Sequence, residues 1–480
     1  MVIDVHVYTL SRLKWISGCN IIFRVVVRGR KDAGAVRAAV EAFMPGLGVE
    51  VESLGGVRGG RLVEELEARM KPFTLVLLGG EDAWVLEEVE AKPFTEVLVT
   101  RARKVRNNPV SVINGYLSRA RASMRLSASW DGEGFILAKG AGDPLVDAPI
   151  DPRGDSFLIY GQGSRILSMF LVRRIPGAAL LYKAGGGKHL IYAGPRPMGE
   201  AIFQSSYGPP KARAYPGSPR VGIDMDRLVE KNRRILEVLE RHSMELLREN
   251  AGEPDTVIVP WSGGKDSTAA LILAVKTFGR DRVKAVYVDT GIDFPENLEY
   301  VERVASLLGV DYIVKRAGVD EGLLVEEMPM PDPDFRWCTG RKLDALREGF
   351  REAARGYTIV VTGDRDAESE RRARRPLVRP DERLGYPVIS PLKMWSGAHV
   401  QLYILSSGAP LNPLYTKGFY RIGCYICFAL RGWELEVMRK AGIYERIARS
   451  RPSHKLLLDR FIELKRKGLG GELGDCICGA

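Results

Sequence analysis

The sequence predicts an α/β protein whose second half is built on a parallel sheet. Two observations carry that reading. From residue 256, short apolar runs ("TVIVP", "VKAVYVDTG", "DYIVKRAG", "YTIVVTGDR") alternate with helix-patterned stretches ("AALILAVKTFG", "NLEYVERVASLLG"). Such alternation produces parallel strands with helices on both faces, and places a ligand site at the carboxyl ends of the strands. At 480 residues the chain is also too long for one ordinary core, so further units must precede that sheet.

Taken in order, residues 1–105 mix strand-like runs ("NIIFRVVV", "FTLVLLGG", "TEVLVT") with helical ones ("AGAVRAAVEAFM", "RLVEELEARM") and form a small α/β unit of no evident chemistry. Residues 106–210 begin with a short basic helix and continue in Gly-punctuated strands, a β-rich module loosely similar to the RNA-binding PUA type. "YGPPKARAYPGSPR" reads as a linker, its prolines and glycines suiting neither helix nor inner strand. Within the linking segment 211–255, a helix over about 224–250 carries Leu228, Ile235, Leu239 and Leu246 on one stripe beside His242. The catalytic unit spans 256–430, and 431–480 is a helical tail holding Cys476 and Cys478.

Hydrophobic content of 45% and charged content of 27% describe a soluble globular protein. No apolar run approaches the roughly 18 residues of a membrane helix. The N-terminus has Asp4 and no basic-then-apolar plan, so a cytoplasmic location is expected. The net charge of +11 sits in one place, because residues 101–220 hold 18 Lys+Arg against 7 Asp+Glu. A polyanion such as tRNA is the partner such a segment suits, with Arg101, Arg103, Lys104, Arg106, Arg119, Arg121 and Arg125 as the contact residues. A merely solvated basic face is the competing reading.

Residues 261–268, "WSGGKDST", lie between an apolar strand and an apolar helix. Gly263 and Gly264 let the backbone approach a ligand closely, and the helix that follows offers free N–H groups and a positive dipole end. Ser262, Lys265, Asp266 and Ser267 add donors and charge. The stretch is not a Walker A loop, since Val259 stands where its first glycine belongs and Asp266 follows the lysine. S-G-G-K-D-S after a strand resembles the PP-loop family of adenine-nucleotide α-hydrolases, which hold the pyrophosphate of ATP this way. "VDTGIDFPENLEYV", "TGDRDAESERRARR" and "NPLYTKGFYRIGCYICF" narrow the resemblance to the phosphoadenosine-phosphosulfate reductase family over about 256–430. It implies a Rossmann-like, adenine-nucleotide α-hydrolase-like domain. It also implies that Asp289 borders the adenosine, that Gly363 belongs to the nucleotide site, and that Arg365, Ser369 and Arg372 border phosphate or sulfate. A guanidinium suits an oxyanion physically, being always charged and fork-shaped. Arg374, Arg375 and Arg379 are expected on a solvated loop.

"FRWCTGRKLDALR" occupies the place where cluster-binding members of the family carry cysteine, often as a pair; here Trp337 and Cys338 stand instead. Cys338 with the C-x-x-C pair Cys424 and Cys427 implies three ligands of a [4Fe–4S] cluster, leaving one iron open or ligated by a tail cysteine. A structural zinc ion and a metal-free redox pair are the alternatives.

Two enzyme readings follow. Reductases of the family have a degraded pyrophosphate loop and a C-terminal Glu-Cys-Gly-x-x-His motif, whereas this chain keeps SGGKDS and ends "GDCICGA". An intact loop suits cleavage of ATP to AMP and pyrophosphate for sulfur transfer, with Lys265, Asp266, Arg365 and Arg372 catalytic, Asp266 helping to place Mg²⁺, a separate sulfur donor, and tRNA as acceptor. The alternative enzyme is a sulfonucleotide reductase using a thiol carrier. A non-catalytic RNA-binding protein with a relic nucleotide pocket is the third reading.

Overall fold

The computed structural model describes residues 22–90, 92–217 and 221–468. The first unit is a four-stranded, wholly parallel sheet of order β2-β1-β3-β4, from β1 (Phe23–Val27), β2 (Val49–Ser53), β3 (Thr74–Leu78) and β4 (Thr95–Val99). Helices α1 (Arg30–Phe43) and α2 (Gly60–Arg69) cover it. The basic helix α3 (Val110–Leu126) packs on α1, β3 and β4, burying Ile113, Leu117 and Ala120 at helical spacing. By contact it therefore belongs to this sheet rather than to the strands that follow it.

The next unit is a five-stranded antiparallel sheet of order β9-β8-β7-β6-β5, formed by β5 (Asp155–Ile159), β6 (Ala179–Lys183), β7 (Lys188–Tyr192), β8 (Pro197–Ile202) and β9 (Lys211–Ala214). Helix α4 (Gln162–Leu171) lies between its first two strands in sequence. The 27-residue α5 (Met225–Ala251) is capped by Asp224, whose carboxylate accepts from the Asp226 and Arg227 N–H groups at 2.9 and 3.2 Å. Its buried stripe, Leu228, Ile235, Leu239 and Leu246, faces neighbouring helices, and His242 stacks on Phe73 at 4.0 Å.

The main sheet has order β12-β11-β10-β13-β15-β14: β10 (Thr256–Pro260), β11 (Val283–Asp289), β12 (Asp311–Arg316), β13 (Thr358–Val361), β14 (Val378–Asp381) and β15 (Tyr386–Ile389). All pairs are parallel except β14 with β15. One face packs on α6 (Lys265–Phe278), the other on α8 (Trp337–Ala353) through Leu346, Phe350 and Ala353. Helix α7 (Pro295–Leu308) follows β11 and α9 (Glu370–Arg374) follows β13. Helices α10 (Gly397–Ser406), α11 (Pro413–Lys417), α12 (Gly432–Lys440), α13 (Ile443–Ser450) and α14 (Pro452–Arg466) complete the described chain. One apolar core runs through these three sheets and the small three-stranded one at residues 129–144, from Ile22 to Phe461. Among the described residues no helix is long and apolar enough to cross a membrane.

Two basic residues expected to meet a polyanion are instead interior. Arg121 is buried and paired with Asp366. Arg125, 2% exposed, donates to the Pro152 and Gly154 carbonyls at 2.7 and 3.3 Å, and burial pushes its guanidinium down to about 10. Arg101, Arg103, Arg106 and Arg119 are exposed, with Arg103 on Glu81 at 2.9 Å and Arg106 on Asp32 at 3.4 Å. The Arg-rich loop also differs from expectation. Arg375 and Arg379 meet the buried Asp364 carboxylate at 2.9 and 3.0 Å, because a charge inside the fold needs partners; only Arg374 stands in solvent.

Candidate nucleotide site

Strand β10 is buried along its length and ends at Pro260, after which the chain turns through residues 261–264 into α6. Gly263 takes φ +72°, a conformation that favours glycine, and its carbonyl accepts from the Asn412 side chain at 3.2 Å. Trp261 ties the turn to the helix by donating to Thr268 Oγ1 at 2.9 Å. Ser267 folds back, accepting from the Ser262 N–H at 3.3 Å and donating to the Gly264 carbonyl at 3.2 Å. These two serines therefore shape the loop from inside. The Lys265 N–H donates to the Tyr415 hydroxyl at 2.8 Å.

Next to this turn lies a cleft of about 90 Å³ lined by Asp155, Lys183, Lys265, Asp266, Arg365, Glu368, Ser369, Arg372, Arg421 and Arg431, with Phe157, Ala367 and Tyr420 as its apolar wall. Asp266 is its pivot. One oxygen accepts from Lys265 Nζ at 2.8 Å and the other from Arg365 Nε at 2.6 Å. Burial raises this carboxyl, but Arg365 and Lys265 overrule burial and hold it at about 2. With both oxygens engaged, Asp266 braces two cations. Arg365 reaches across to Asp155 at 3.0 and 3.1 Å; burial lowers its pKa, yet the two aspartates keep it above the ordinary arginine range. Arg372 pairs with Glu368 and stands 3.5 Å from Asp364. Ser369 caps α9, accepting from the Arg372 N–H at 3.2 Å.

Gly363 acts through packing. A Cβ there would lie 2.6 Å from the Asp266 carbonyl carbon, so only glycine lets the chain leaving β13 approach α6 this closely. Asp289 does not line the cleft; it ends β11 and accepts from the Gly291 N–H at 2.8 Å. A smaller apolar hollow of about 30 Å³ lies beside the turn, lined by Pro260, Trp261, Ser262, Val286, Val288, Lys342, Leu343 and Leu346.

The structure therefore gathers Lys265, Asp266, Arg365, Ser369 and Arg372 at one cleft. Sequence reasoning missed Asp155, Lys183 and Arg431. A lone acid opening a strand and a lone lysine closing one carry no local signal.

The cysteines occupy another region. Arg336, two residues before Cys338, sets its guanidinium 5.0 Å over the Phe428 ring, next to Cys427, so the two segments adjoin. Cys424 is buried, 3.4 Å from both the Thr290 hydroxyl and an Asp293 oxygen. Yet among the described residues no group of three or more His, Cys, Asp or Glu side chains stands close enough to hold a metal. The shared cluster or zinc site expected of Cys338, Cys424 and Cys427 is not shown, and Cys19, Cys476 and Cys478 lie outside the described residues.

Comparison with known proteins agrees with this geometry. The phosphoadenosine phosphosulfate reductase domain profile matches residues 256–430. An uncharacterized protein of Methanocaldococcus jannaschii is 33% identical over 220 residues, 45% of each chain, so the chain spans about half the length of that archaeal relative. An adenosine 5′-phosphosulfate reductase of Streptomyces coelicolor is 34% identical over 166 residues, covering 33% of this chain and 68% of that one. A phosphoadenylyl-sulfate reductase structure from Candida auris aligns over 40% of this chain and 95% of its own, at TM-score 0.32 and 21% identity. With its glycine turn, arginine-bearing loop and sheet all inside the matched span, the chain belongs to the phosphoadenosine phosphosulfate reductase family.

Proposed function

We propose that the cleft binds an adenine nucleotide by its phosphate chain, that ATP is split there between the α and β phosphates, and that the activated acceptor then receives sulfur. One observation carries this reading: the glycine turn at Gly263–Lys265 adjoins a cleft whose Lys265, Arg365 and Arg372 are each held in place by a carboxylate. In that reaction an acceptor oxygen attacks the α-phosphorus and pyrophosphate leaves. Preorganised cations stabilise the leaving charge. Mg²⁺ enters with ATP, its usual seat being substrate phosphates. tRNA is the proposed acceptor, on the +11 balance of residues 101–220 and the exposed Arg101 and Arg119.

The names of relatives such as the Streptomyces coelicolor enzyme favour a second reading, sulfonucleotide reduction, in which a thiolate attacks the sulfur of an activated sulfate and a dithiol carrier resolves the adduct. That step needs a thiolate at the cleft, and the cleft's described lining includes no cysteine. Neither reading routes a step through a [4Fe–4S] cluster or zinc.

Incubating the purified chain with ATP and, separately, with a sulfonucleotide decides between them. Pyrophosphate release supports the first, sulfite release the second, and neither product supports a relic pocket. Gly264→Val is the binding control. Gly264 sits at φ −81°, a backbone open to valine, so the fold should survive while the branched side chain blocks the phosphate; unchanged ATP and sulfonucleotide affinities would overturn the site. Arg101→Glu with Arg119→Glu tests the acceptor, because tRNA binding should weaken and lose part of its salt dependence.

A further inference from the structure

We infer that Lys183 and Arg431 form a seat for a second tetrahedral oxyanion, phosphate or sulfate, in the same cleft. This rests on the reading of the cleft as a phosphate-chain site. It assigns a ligand contact to β6 of the antiparallel unit, outside the matched residues 256–430.

The charge inventory of the cleft carries the inference. Its three carboxylates are all committed to cations of the parallel-sheet side. Asp155 bonds Arg365 and accepts from the Gly397 N–H at 2.9 Å. Asp266 bonds Lys265 and Arg365. Glu368 accepts from the Arg365 N–H at 2.9 Å and pairs with Arg372.

Lys183 and Arg431 line the same cleft, yet no carboxylate among the described residues pairs with either side chain. Arg431 is pinned by donating to the Phe203 carbonyl at 3.0 Å, and the buried Glu434 carboxylate, which accepts from its backbone N–H at 3.0 Å, offsets its charge only in part. Burial pushes the Lys183 ammonium down; Asp155 raises it, while Arg431 and Arg365 lower it further. Two cations repelling each other in a half-buried wall are stabilised by an anion between them. The wall around them is the stacked pair Phe157 and Tyr420, with ring centroids 4.8 Å apart, which excludes water and strengthens that attraction. A space of about 90 Å³ admits a small oxyanion.

The source of the oxyanion is either the terminal group of the nucleotide's own chain or a separate anionic substrate. Titration calorimetry on the full chain with ATP, AMP and inorganic sulfate, each at fixed ionic strength, tests the seat. Lys183→Met should weaken ATP roughly tenfold or more, as loss of a charge-assisted contact does, and leave AMP within about twofold. Lys183→Arg should restore most of the loss, and Arg431→Gln, checked for folding by circular dichroism, should repeat it. Equal losses for AMP and ATP, or no loss for either, overturn the seat. Sulfate that competes with ATP but not with AMP assigns the seat to the nucleotide's terminal group. Sulfate that binds more tightly with ATP present assigns it to a separate substrate. Should the wild-type chain bind no nucleotide, the proposed function fails while the seat stays testable: weaker sulfate binding in Lys183→Met supports it, and equal binding overturns it.

Discussion

Two parallel sheets in this chain share a plan and differ in what they do with it. In each, the first strand lies centrally, beside the switch in strand order, and passes through a short glycine turn into a helix whose first residues include Lys-Asp: Gly29 to Asp32 after β1, Gly264 to Asp266 after β10. In the first sheet the crevice is shut. Gly79, where a Cβ would lie 2.2 Å from the Arg103 carbonyl oxygen, lets the loops after β3 and β4 touch. Arg28 is consumed by Glu81 and Asp82, Arg103 by Glu81, and Arg106 by Asp32. In the main sheet the crevice is open, and cations outnumber acids along it. A strand–glycine–helix turn is thus only an opportunity; unneutralised positive charge at an open switch point makes it a site.

The largest expected effect separates the two sheets. Arg365→Ala leaves Asp155 and Asp266 buried without their shared partner and should cost roughly 3–5 kcal/mol in urea unfolding, with nucleotide affinity lost. Arg28→Ala removes the matching cation of the first sheet and should cost only about 1–3 kcal/mol, with nucleotide affinity unchanged. Equal effects on affinity would break the contrast.

Smaller is Gly363→Ala, which presses a methyl group against the backbone of α6 and should cost about 1–3 kcal/mol. It should also weaken ATP binding by shifting Lys265 and Asp266; calorimetry and unfolding on one sample check both.

A graded effect appears in acid. His189 and His399 are buried and His242 is half-buried, and desolvation pushes His189 down to about 3 and the other two down to about 4. Their folded values lie below the unfolded one, so the unfolded chain takes up protons first. Their contribution is complete above about pH 6.5 and is lost as pH falls toward 4, each adding about 1.4 kcal/mol per pH unit of slope. Asp266, held at about 2, adds its loss only below about pH 4. A stability profile flat from pH 7 to 5 would contradict this order.

What was legible in the sequence was local. The alternation after residue 256 and the turn at 261–267 are short-range patterns, and they marked the main sheet and Lys265. What was illegible was long-range pairing. Arg365 meets Asp155 from 210 positions away and Arg121 meets Asp366 from 245. A basic helix looks the same in sequence whether its arginines reach solvent or a buried aspartate. Arg375 and Arg379 were misjudged for the same reason, since only the placement of Asp364 tells a buried partner from a solvated charge.

The side chain of Gln401, on α10, accepts from the Leu158 N–H at 2.7 Å and donates to the Leu158 carbonyl at 2.9 Å. It thereby imitates a neighbouring strand at the open edge of β5. Edges left open invite another chain to pair with them, so this one amide acts as a stopper against sheet-to-sheet association. It is also a rivet: α10 follows the main sheet, and the Arg365–Asp155 contact lies one strand-length away on the same seam. Swinging the antiparallel unit away from the cleft would break both fastenings together. Lys183 and Arg431 are consequently carried on a stiff frame, and any motion that admits or releases a ligand must be made by something other than that seam.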